Sequence, residues 1–403
     1  MIGHQTPEET KIWLQTQESI PLEIAFGLKE ANEKRILNAV TKEKDWNTLT
    51  INLSKLTPGA IYTYTVSSKG RELYSGEFTT PRYVDKDSLR NFSFAFGSCT
   101  YINEKQYDRD GEPFGKALNI INSIEKKHPN FMLWLGDNIY LRKGEWSSKT
   151  GIYRRYTNFK SHPALQSFWK SMPHYAIWDD HDFGPNDADR SFYNKEITLQ
   201  AFKDFWANPS YGVNGQSGIT SYFAYEDVAF FLLDNRYFRS PNKRNTGERE
   251  ILGKAQIEWL IDALVNSKAS FKFIVVGGQV VSDAAVYENH ATYPKEREYL
   301  LDLIEKEGLK NIVFLTGDRH KTELSQLKLK NGIILYDFTS SPMASRAFDS
   351  QEEGNNNQVA GTHVSTQNFG TISVSGDNEN RILLLKTFDA SGKLLWEKEV
   401  QKQ

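Results

Sequence analysis

The chain has 403 residues, a length that fits one large domain or two to three smaller ones. Hydrophobic residues make up 39% of it and aromatic residues 13%, which is enough apolar surface to form a core and excludes a mainly disordered chain. The formal charge is −2, so no charge excess indicates binding to nucleic acid or to an acidic membrane surface. No run approaches the roughly 18–20 apolar residues that a membrane span needs.

The N-terminus and the cysteine content bear on the compartment. Residues 1–7 hold no basic segment followed by an apolar one, so no signal peptide is predicted in this chain. Cys99 is the only cysteine, which excludes an intrachain disulfide. Taken alone, it is explained most simply as a small buried hydrophobic residue.

The first 85 residues predict a small antiparallel β-sandwich. Short runs of strand-forming residues, separated by turn residues, lie at 11–14, 21–25, 48–53 and 60–66. The segment 56–64, with the sequence LTPGAIYTY, is similar to the turn and tyrosine corner of fibronectin type III-like domains. We expect this domain to end near residue 85, within a polar linker at 82–90, and to serve for packing or docking.

The rest of the chain, 86–403, predicts a layered α/β domain. Continuous apolar runs typical of strands buried on both faces lie at 92–96, 131–135, 175–178, 228–233, 271–276, 312–315 and 333–338. Amphipathic helical patterns lie between them at 115–128, 254–267 and 295–307. Further runs at 371–374, 382–387 and 394–400 predict antiparallel strands that complete the sheet.

Polar residues of ligand type follow almost every one of these strands. The segments are Gly97-Ser98-Cys99, Gly136-Asp137-Asn138-Ile139-Tyr140, Asp179-Asp180-His181, Asp234-Asn235-Arg236, Gly277-Gly278-Gln279 and Gly317-Asp318-Arg319-His320. Because ligands of layered α/β sheets bind at the carboxyl ends of the strands, we expect these side chains to share one site.

Each of these residues also has a purely structural explanation, since Asp after a strand often caps a helix and glycine suits tight turns. The combination is harder to explain in that way. Clustered carboxylates raise one another's pKa values, whereas a multivalent cation supplies the missing positive charge. The strand ends therefore predict a metal site.

The motifs resemble those of the alkaline phosphatase D (PhoD-like) family, a branch of the calcineurin-like metallophosphatases related to purple acid phosphatases. The resemblance covers nearly the whole chain and rests on Gly97-Ser98-Cys99, Gly136-Asp137-x-x-Tyr140, Asp179-Asp180-His181, Gly277-Gly278-Gln279 and Gly317-Asp318-x-His320. It implies an αββα sandwich of two packed sheets with a dinuclear metal centre at the strand ends. It also implies export to the periplasm, the cell surface or the medium.

The resemblance implies ligands for both metals. The residues implied for a ferric ion are Cys99, Asp137, Tyr140 and His320. Those implied for a second ion are Asp137, Asp180 and Asp318, with Asn186 as a further candidate that lies farther from the Asp-His motif than in the family. The second ion is expected to be Ca²⁺, with Mg²⁺, Mn²⁺ or Zn²⁺ as alternatives. Independently, thiolate and phenolate suit ferric iron, carboxylates suit calcium, and the few imidazoles disfavour a two-zinc centre.

The expected reaction is hydrolysis of a phosphate monoester or diester by a metal-bound hydroxide. His181, next to Asp180, is the expected proton donor to the leaving oxygen. Arg236 is expected to grip phosphate oxygens, unless it pairs with Asp234 instead. Arg142 and Arg319 are weaker candidates for that contact, and Asn138 and Gln279 are further candidate substrate-binding residues.

Other functional classes lack their motifs in this chain. No arginine-containing phosphate loop follows Cys99, and neither a Gly-x-Ser-x-Gly elbow nor a nucleotide-binding glycine-rich loop is present. The remaining alternative is a catalytically weak binding or adhesion protein on a metallophosphatase scaffold. We expect a monomer, and the long polar segment 344–368 predicts either a lid or a disordered loop.

Overall fold

The computed structural model describes residues 1–85, 88–108, 110–349 and 353–403. Within these ranges the N-terminal part contains β1 (Ile2–Thr6), β2 (Glu9–Gln15), β3 (Pro21–Leu28), β4 (Arg35–Val40), β5 (Thr48–Leu53), β6 (Ile61–Ser68) and β7 (Arg71–Thr79). They form two antiparallel sheets, ordered β1-β2-β5 and β4-β3-β6-β7. The predicted small sandwich is therefore present, with β1, β4 and β7 in addition to the four predicted strands.

These small sheets enclose an apolar core of their own. Buried side chains alternate along β3 and β6, as the period of two in a strand requires. They are Leu22, Ile24, Phe26, Tyr62, Tyr64 and Val66. The hydroxyl of Tyr62 accepts a hydrogen bond from the backbone N–H of Thr57 at 2.8 Å, which ties down the 56–64 turn as in a tyrosine corner. Residues 86 and 87 of the predicted linker lie outside the described residues, and the domain division at 85/86 stays a prediction.

The larger part contains twelve strands and seven α-helices among the described residues. The strands are β8 (Phe92–Gly97), β9 (Met132–Leu135), β10 (His174–Ile177), β11 (Ser221–Tyr225), β12 (Val228–Leu232), β13 (Phe271–Val275), β14 (Ile312–Thr316), β15 (Glu323–Lys328), β16 (Ile334–Thr339), β17 (Asn368–Ser375), β18 (Ile382–Asp389) and β19 (Leu394–Gln401). The helices are α1 (Asn119–Glu125), α2 (Lys149–Ser161), α3 (Phe168–Ser171), α4 (Asp180–Phe183), α5 (Lys195–Phe205), α6 (Lys254–Asn266) and α7 (Pro294–Lys306). Short 3₁₀ turns lie at Glu43–Asp45, Pro163–Leu165 and His290–Thr292.

The twelve strands form two six-stranded sheets, ordered β10-β9-β8-β17-β18-β19 and β11-β12-β13-β14-β16-β15. β8, β9 and β10 are parallel, as are β12, β13, β14 and β16, and the remaining strands join them in antiparallel fashion. Phenylalanines of both sheets meet in the layer between them: the ring of Phe94 lies 5.2 Å from those of Phe230 and Phe273. The helices α6 and α7 cover the outer face of the second sheet through buried leucines and isoleucines. This is the αββα sandwich that the sequence predicts.

The small N-terminal sheets pack on the larger part. The backbone N–H of His4 donates to the carbonyl of Ala207 at 2.9 Å, and the indole N–H of Trp13 donates to the carbonyl of Asp204 at 2.7 Å. Both acceptors lie at the end of α5, which the sequence analysis does not predict. Both hydrogen bonds therefore join the first two strands to the C-terminal end of α5.

The polar segment 344–368 is hydrogen-bonded along β15 where it is described. The N–H groups of Val359 and Val364 donate to the carbonyls of Leu324 and Thr322, each at 2.8 Å. Residues 350–352 of the predicted lid lie outside the described residues. No helix among the described ranges is both long and apolar enough to cross a membrane.

Candidate metal centre

The carboxyl ends of the parallel strands bring the predicted ligands together. Cys99 follows β8, Asp137 follows β9, Asp180 follows β10, and Asp318 and His320 follow β14. The two sheets meet closely here, because a Cβ on Gly317 would lie only 2.7 Å from the side chain of Ser98. The predicted convergence of residues from both sheets is therefore observed.

Four side chains surround the first candidate position. Cys99, Asp137 and His320 offer ligand atoms that all lie within 4.8 Å of one another. The phenol oxygen of Tyr140 lies 3.1 Å from Oδ2 of Asp137 and 3.2 Å from Nε2 of His320. The hydroxyl of Ser341 donates to Sγ of Cys99 at 3.1 Å, a contact that suits a thiolate. The sequence analysis did not identify Ser341, because it follows β16 without any recognisable motif.

The backbone of these loops is strained at the candidate ligands themselves. The φ angles are +61° at Cys99, +50° at Asp137, +65° at Asp318 and +52° at His320. This left-handed region costs a residue with a Cβ about 1–2 kcal/mol. Such strain collects at functional sites, where the surrounding structure holds side chains in positions that relaxed loops would not give.

Two glycines allow the loops to approach one another. At Gly136 an added Cβ would lie 2.7 Å from Cβ of Asp179, and at Gly277 it would lie 2.5 Å from Oδ2 of the same Asp179. Contacts this short exclude any larger residue without a backbone shift. The Gly-Asp and Gly-Gly pairs of the sequence thus serve close packing around Asp179.

A second group of carboxylates adjoins the first. Asp179, Asp180 and Asp318 have oxygens within 4.8 Å of one another, and so do Asp180, Asp187 and Glu288. Oδ1 of Asp180 accepts the N–H of His181 at 2.9 Å, and its Oδ2 accepts the N–H of Asp187 at 2.7 Å. Asp180 and Asp318 are predicted ligands, whereas the sequence patterns predict no role for Asp179, Asp187 or Glu288. Glu288 lies outside every strand-end motif, so only the folded chain reveals it.

Arg236 is enclosed by this acidic group. Its guanidinium is fully buried and forms ion pairs with Asp179 and, at 2.5 Å, with Glu288. Arg239 lies 2.8 Å from the other oxygen of Glu288. The alternative pairing with Asp234 is not observed, since the backbone N–H of Arg236, and not its guanidinium, donates to Asp234; the contact with phosphate oxygens stays a prediction. The guanidinium of Arg236 is thus held by two buried carboxylates.

The electrostatics of the site call for further positive charge. Burial raises the pKa of Asp137 well above its ordinary value, and the nearby Cys99 and Asp180 raise it further. Burial also raises the pKa of the Cys99 thiol to about 11 and the pKa of Tyr140 above its usual range. A cation at this position would favour the ionised form of all three groups.

The donor set fits metal ions. Several buried oxygens near the strand ends have no hydrogen-bond partner within the described part of the chain, among them Oδ2 of Asp179, Oδ1 of Asn138 and Oδ1 of Asn235. An orphaned carboxylate oxygen beside Asp180 and Asp318 is costly unless a cation completes its surroundings. Sulfur, phenol and imidazole meet at one position and carboxylates at the other, which matches the two kinds of ion predicted.

The predicted proton donor lies at the edge of the cluster. His181 is half-buried, and its ring centroid is 4.2 Å from that of Tyr140. One of its ring nitrogens lies within 4.8 Å of carboxylate oxygens of Asp137 and Asp180. Burial lowers its pKa, while the negative charge of Asp180 acts in the opposite direction. The imidazole is therefore both close to the candidate metal ligands and accessible.

The predicted substrate-binding residues are less open. Asn138 donates to the carbonyl of Ile177 at 2.8 Å, and Gln279 donates to Glu323 at 2.7 Å; both residues are buried. Arg142 pairs with Asp108 at 2.8 Å. Asn186 is exposed and makes no described contact with the other candidate ligands. The predicted metal ligands thus lie together, except for Asn186. The predicted substrate-binding residues Asn138, Gln279 and Arg142 instead contact other groups of the protein.

The arrangement defines a metallophosphatase fold. The chain superimposes on the solved structure of PhoD with a TM-score of 0.78 and 18% identity, covering 100% of this chain and 91% of that one. It superimposes on the purple acid phosphatase PPD1 from yellow lupin (Lupinus luteus) seeds with a TM-score of 0.72 and 13% identity, covering 99% and 73% of the two chains. At these identities the likeness shows the fold.

The family follows from the sequence comparison. The family model described as PhoD-like phosphatase matches residues 94–382, so the chain belongs to the PhoD-like phosphatases. Alkaline phosphatase D of Bacillus subtilis (strain 168) is 25% identical in an alignment of 323 positions that covers 68% of this chain and 53% of that protein. The chain therefore spans about half the length of this curated relative. The predicted family is confirmed.

Proposed function

We propose that this protein is a metal-dependent phosphoric ester hydrolase of the alkaline phosphatase D type, acting on phosphodiesters and phosphomonoesters. The observation that carries the proposal is the convergence of Cys99, Asp137, Tyr140, Asp180 and Asp318 at the ends of strands from both sheets. Family membership supports the same chemistry.

Two ions fit the ligand groups. Fe³⁺ is proposed at Cys99, Asp137, Tyr140 and His320. Ca²⁺, with Mg²⁺, Mn²⁺ or Zn²⁺ as alternatives, is proposed at Asp137, Asp180 and Asp318, and the orphaned oxygen of Asp179 supports its inclusion. When bound, the ions supply Lewis acidity that polarises phosphoryl oxygens and lowers the pKa of water.

The chain's own groups supply the remaining functions. His181 donates a proton to the leaving oxygen. Its imidazole lies within 4.8 Å of carboxylate oxygens of Asp137 and Asp180 and is only half-buried, so a substrate can reach it. Arg236 holds Asp179 in place through their buried ion pair. The rings of Phe114 and Phe348, 5.6 and 5.2 Å from that of His320, restrict the access of water to one side of the site.

The alternative of a catalytically weak binding protein predicts the same fold without turnover. The experiment is to measure metal content and the hydrolysis of an aryl phosphate monoester and diester before and after chelation. Hydrolysis that disappears on chelation and returns with added metal supports the proposal. A fully metallated protein that hydrolyses neither ester contradicts it and leaves the binding scaffold. Export and a monomeric state are proposed with it, and cell fractionation and gel filtration test them.

A further inference from the structure

A carboxylate neutralises two cations beside the candidate ligands. The oxygens of Glu353 accept from Nη2 of Arg319 at 2.8 and 2.7 Å, and one of them lies 2.9 Å from Nζ of Lys321. Arg319 stands between the candidate ligands Asp318 and His320. The side chains of Arg319 and Lys321 are only 4% and 2% exposed, and that of Glu353 is 13% exposed, so solvent screens these ion pairs weakly.

The two cations differ in how they depend on Glu353. Lys321 has a second carboxylate partner, Glu323, at 3.2 Å. Arg319 has no ion-pair partner other than Glu353 in the described ranges, and its guanidinium is held over the ring of Tyr287 at 4.5 Å. Loss of the Glu353 charge would therefore leave Arg319 in place as an uncompensated cation.

That charge is felt at the ligand cluster. Arg319 is joined in the chain to the candidate ligands Asp318 and His320, and its side chain is almost fully buried, so its charge lies near them and is weakly screened. A guanidinium also matches the geometry of phosphate oxygens. The state of Glu353 thus alters the potential that an anionic substrate meets. A phosphate monoester carries up to one more negative charge than a diester, so it responds more strongly.

We propose that Glu353 sets the charge selectivity of the site. Its carboxylate cancels the charge of Arg319 and so disfavours dianionic monoesters relative to monoanionic diesters. The inference rests on the proposed hydrolase function. Glu353 is a specificity-determining residue that acts through Arg319 and takes no part in the reaction itself.

The test compares two esters with one leaving group. The metal-loaded wild type and Glu353→Gln are assayed at pH 8 with 4-nitrophenyl phosphate and with methyl 4-nitrophenyl phosphate. The kcat/KM for the monoester divided by that for the diester should rise ~3- to 10-fold in the variant. The reason is that the uncompensated positive charge of Arg319 attracts the dianionic ester more strongly, over a distance at which the charge is partly screened. The rise should shrink in 1 M salt, where the Debye length falls to about 3 Å.

Two controls separate charge from structure. Glu353→Asp keeps the charge and should retain the wild-type ratio. Glu379→Gln removes an exposed carboxylate in the turn between β17 and β18, at the end of the sheet remote from Cys99, and should also leave it unchanged. An unchanged ratio in an active Glu353→Gln, or a change that persists in high salt, overturns the inference.

Failure of the proposed function is distinguishable from failure of this inference. If the wild type hydrolyses neither ester, the hydrolase proposal falls, and inorganic phosphate becomes the probe. Phosphate should then raise the melting temperature of Glu353→Gln more than that of the wild type, since tighter binding to the folded state stabilises it further. Equal shifts in both proteins would overturn the role of Glu353.

Discussion

Oδ2 of Asp137 lies 3.1 Å from the phenol oxygen of Tyr140, whereas Oδ1 of Asp137 accepts the backbone N–H of His181 at 3.3 Å. One carboxylate therefore faces both groups of candidate ligands, the one with Cys99 and the one with Asp180. This geometry suits a residue that both metal ions share. A substitution of Asp137 should therefore disturb both proposed metal sites at once.

Asp137→Asn should reduce hydrolysis of an aryl phosphate ester by more than ~100-fold, because the amide cannot supply a charged oxygen to each side. Metal content per chain should fall as well. Asp377→Asn, at an exposed turn, is the matched control and should keep both turnover and metal. Near-normal turnover of Asp137→Asn with normal metal content would contradict the shared-ligand assignment.

His181→Ala should affect poor leaving groups most. An alkoxide needs a proton to depart and nitrophenolate does not, so turnover should fall ~10²- to 10⁴-fold for an alkyl ester and much less for the nitrophenyl ester. The measurement is a plot of log kcat against the pKa of the leaving alcohol, which should become steeper in the variant. His162→Ala, remote in the loop after α2, should not change the slope. Equal losses for all leaving groups would exclude the proton-donor role.

After withdrawal of metal, the contribution of the buried carboxyl groups to stability should fall as pH rises. Burial, together with neighbouring carboxylates, raises the pKa of Asp137 and brings the pKa of Asp318 to about 6, whereas carboxyl groups in the unfolded chain titrate near pKa 4. The folded chain thus binds these protons more tightly, and stabilisation present below pH 4 is lost as the pH rises through about 6. The opposite shift of Asp180, to a pKa of about 2, acts only below pH 4.

Denaturant unfolding of chelated protein at pH 5 and pH 8 measures this effect. Asp318 alone should contribute on the order of 1 kcal/mol more to the free energy of unfolding at pH 5 than at pH 8. Asp318→Asn should reduce the difference between the two pH values. Metal-loaded protein should show the reverse trend, since deprotonated ligands bind metal more tightly. A pH dependence that Asp318→Asn leaves unchanged would contradict the assigned shift of Asp318.

The sequence predicts the part of the site that local patterns encode. Apolar strands followed by Gly-Asp or Gly-Ser-Cys locate Asp137 and Cys99, because a strand end and its tight turn are both local features. Glu288 and Ser341 escape such reasoning, since they reach the site only through tertiary packing. The same holds for Arg236, whose partners Asp179 and Glu288 lie far from it in the sequence.

Local sequence patterns likewise predict some elements of the fold and miss others. Strands buried on both faces are predicted with their approximate bounds, whereas α2 and α5 are not predicted. In α2 the buried face carries tyrosines and a lysine, Tyr153, Tyr156 and Lys160, so the helix lacks a plain apolar stripe. Edge strands such as β4 and β15 are also not predicted, because their exposed or polar residues lack the alternation that identifies a strand.

The fully metallated protein should be coloured. Sγ of Cys99 lies 3.5 Å from Oδ2 of Asp137, and the phenol of Tyr140 contacts the same oxygen, so sulfur and phenolate donors both adjoin the position proposed for Fe³⁺. Electron-rich ligands on an oxidising metal should give a broad visible charge-transfer band, which a zinc or calcium centre lacks.

Cys99→Ser and Tyr140→Phe should each shift or bleach this band, and a strong reductant should remove it reversibly. Tyr101→Phe is the matched control, because the ring of Tyr101 lies 4.9 Å from that of Tyr140 but its hydroxyl donates to Asp108. An absorption spectrum and a metal analysis on one preparation make the measurement. Full activity without iron, or a band that neither substitution alters, would exclude ferric iron at this position. The carboxylate-rich group around Asp180 would then point to a centre of other ions, and Cys99 would serve only as a small buried side chain held by Ser341.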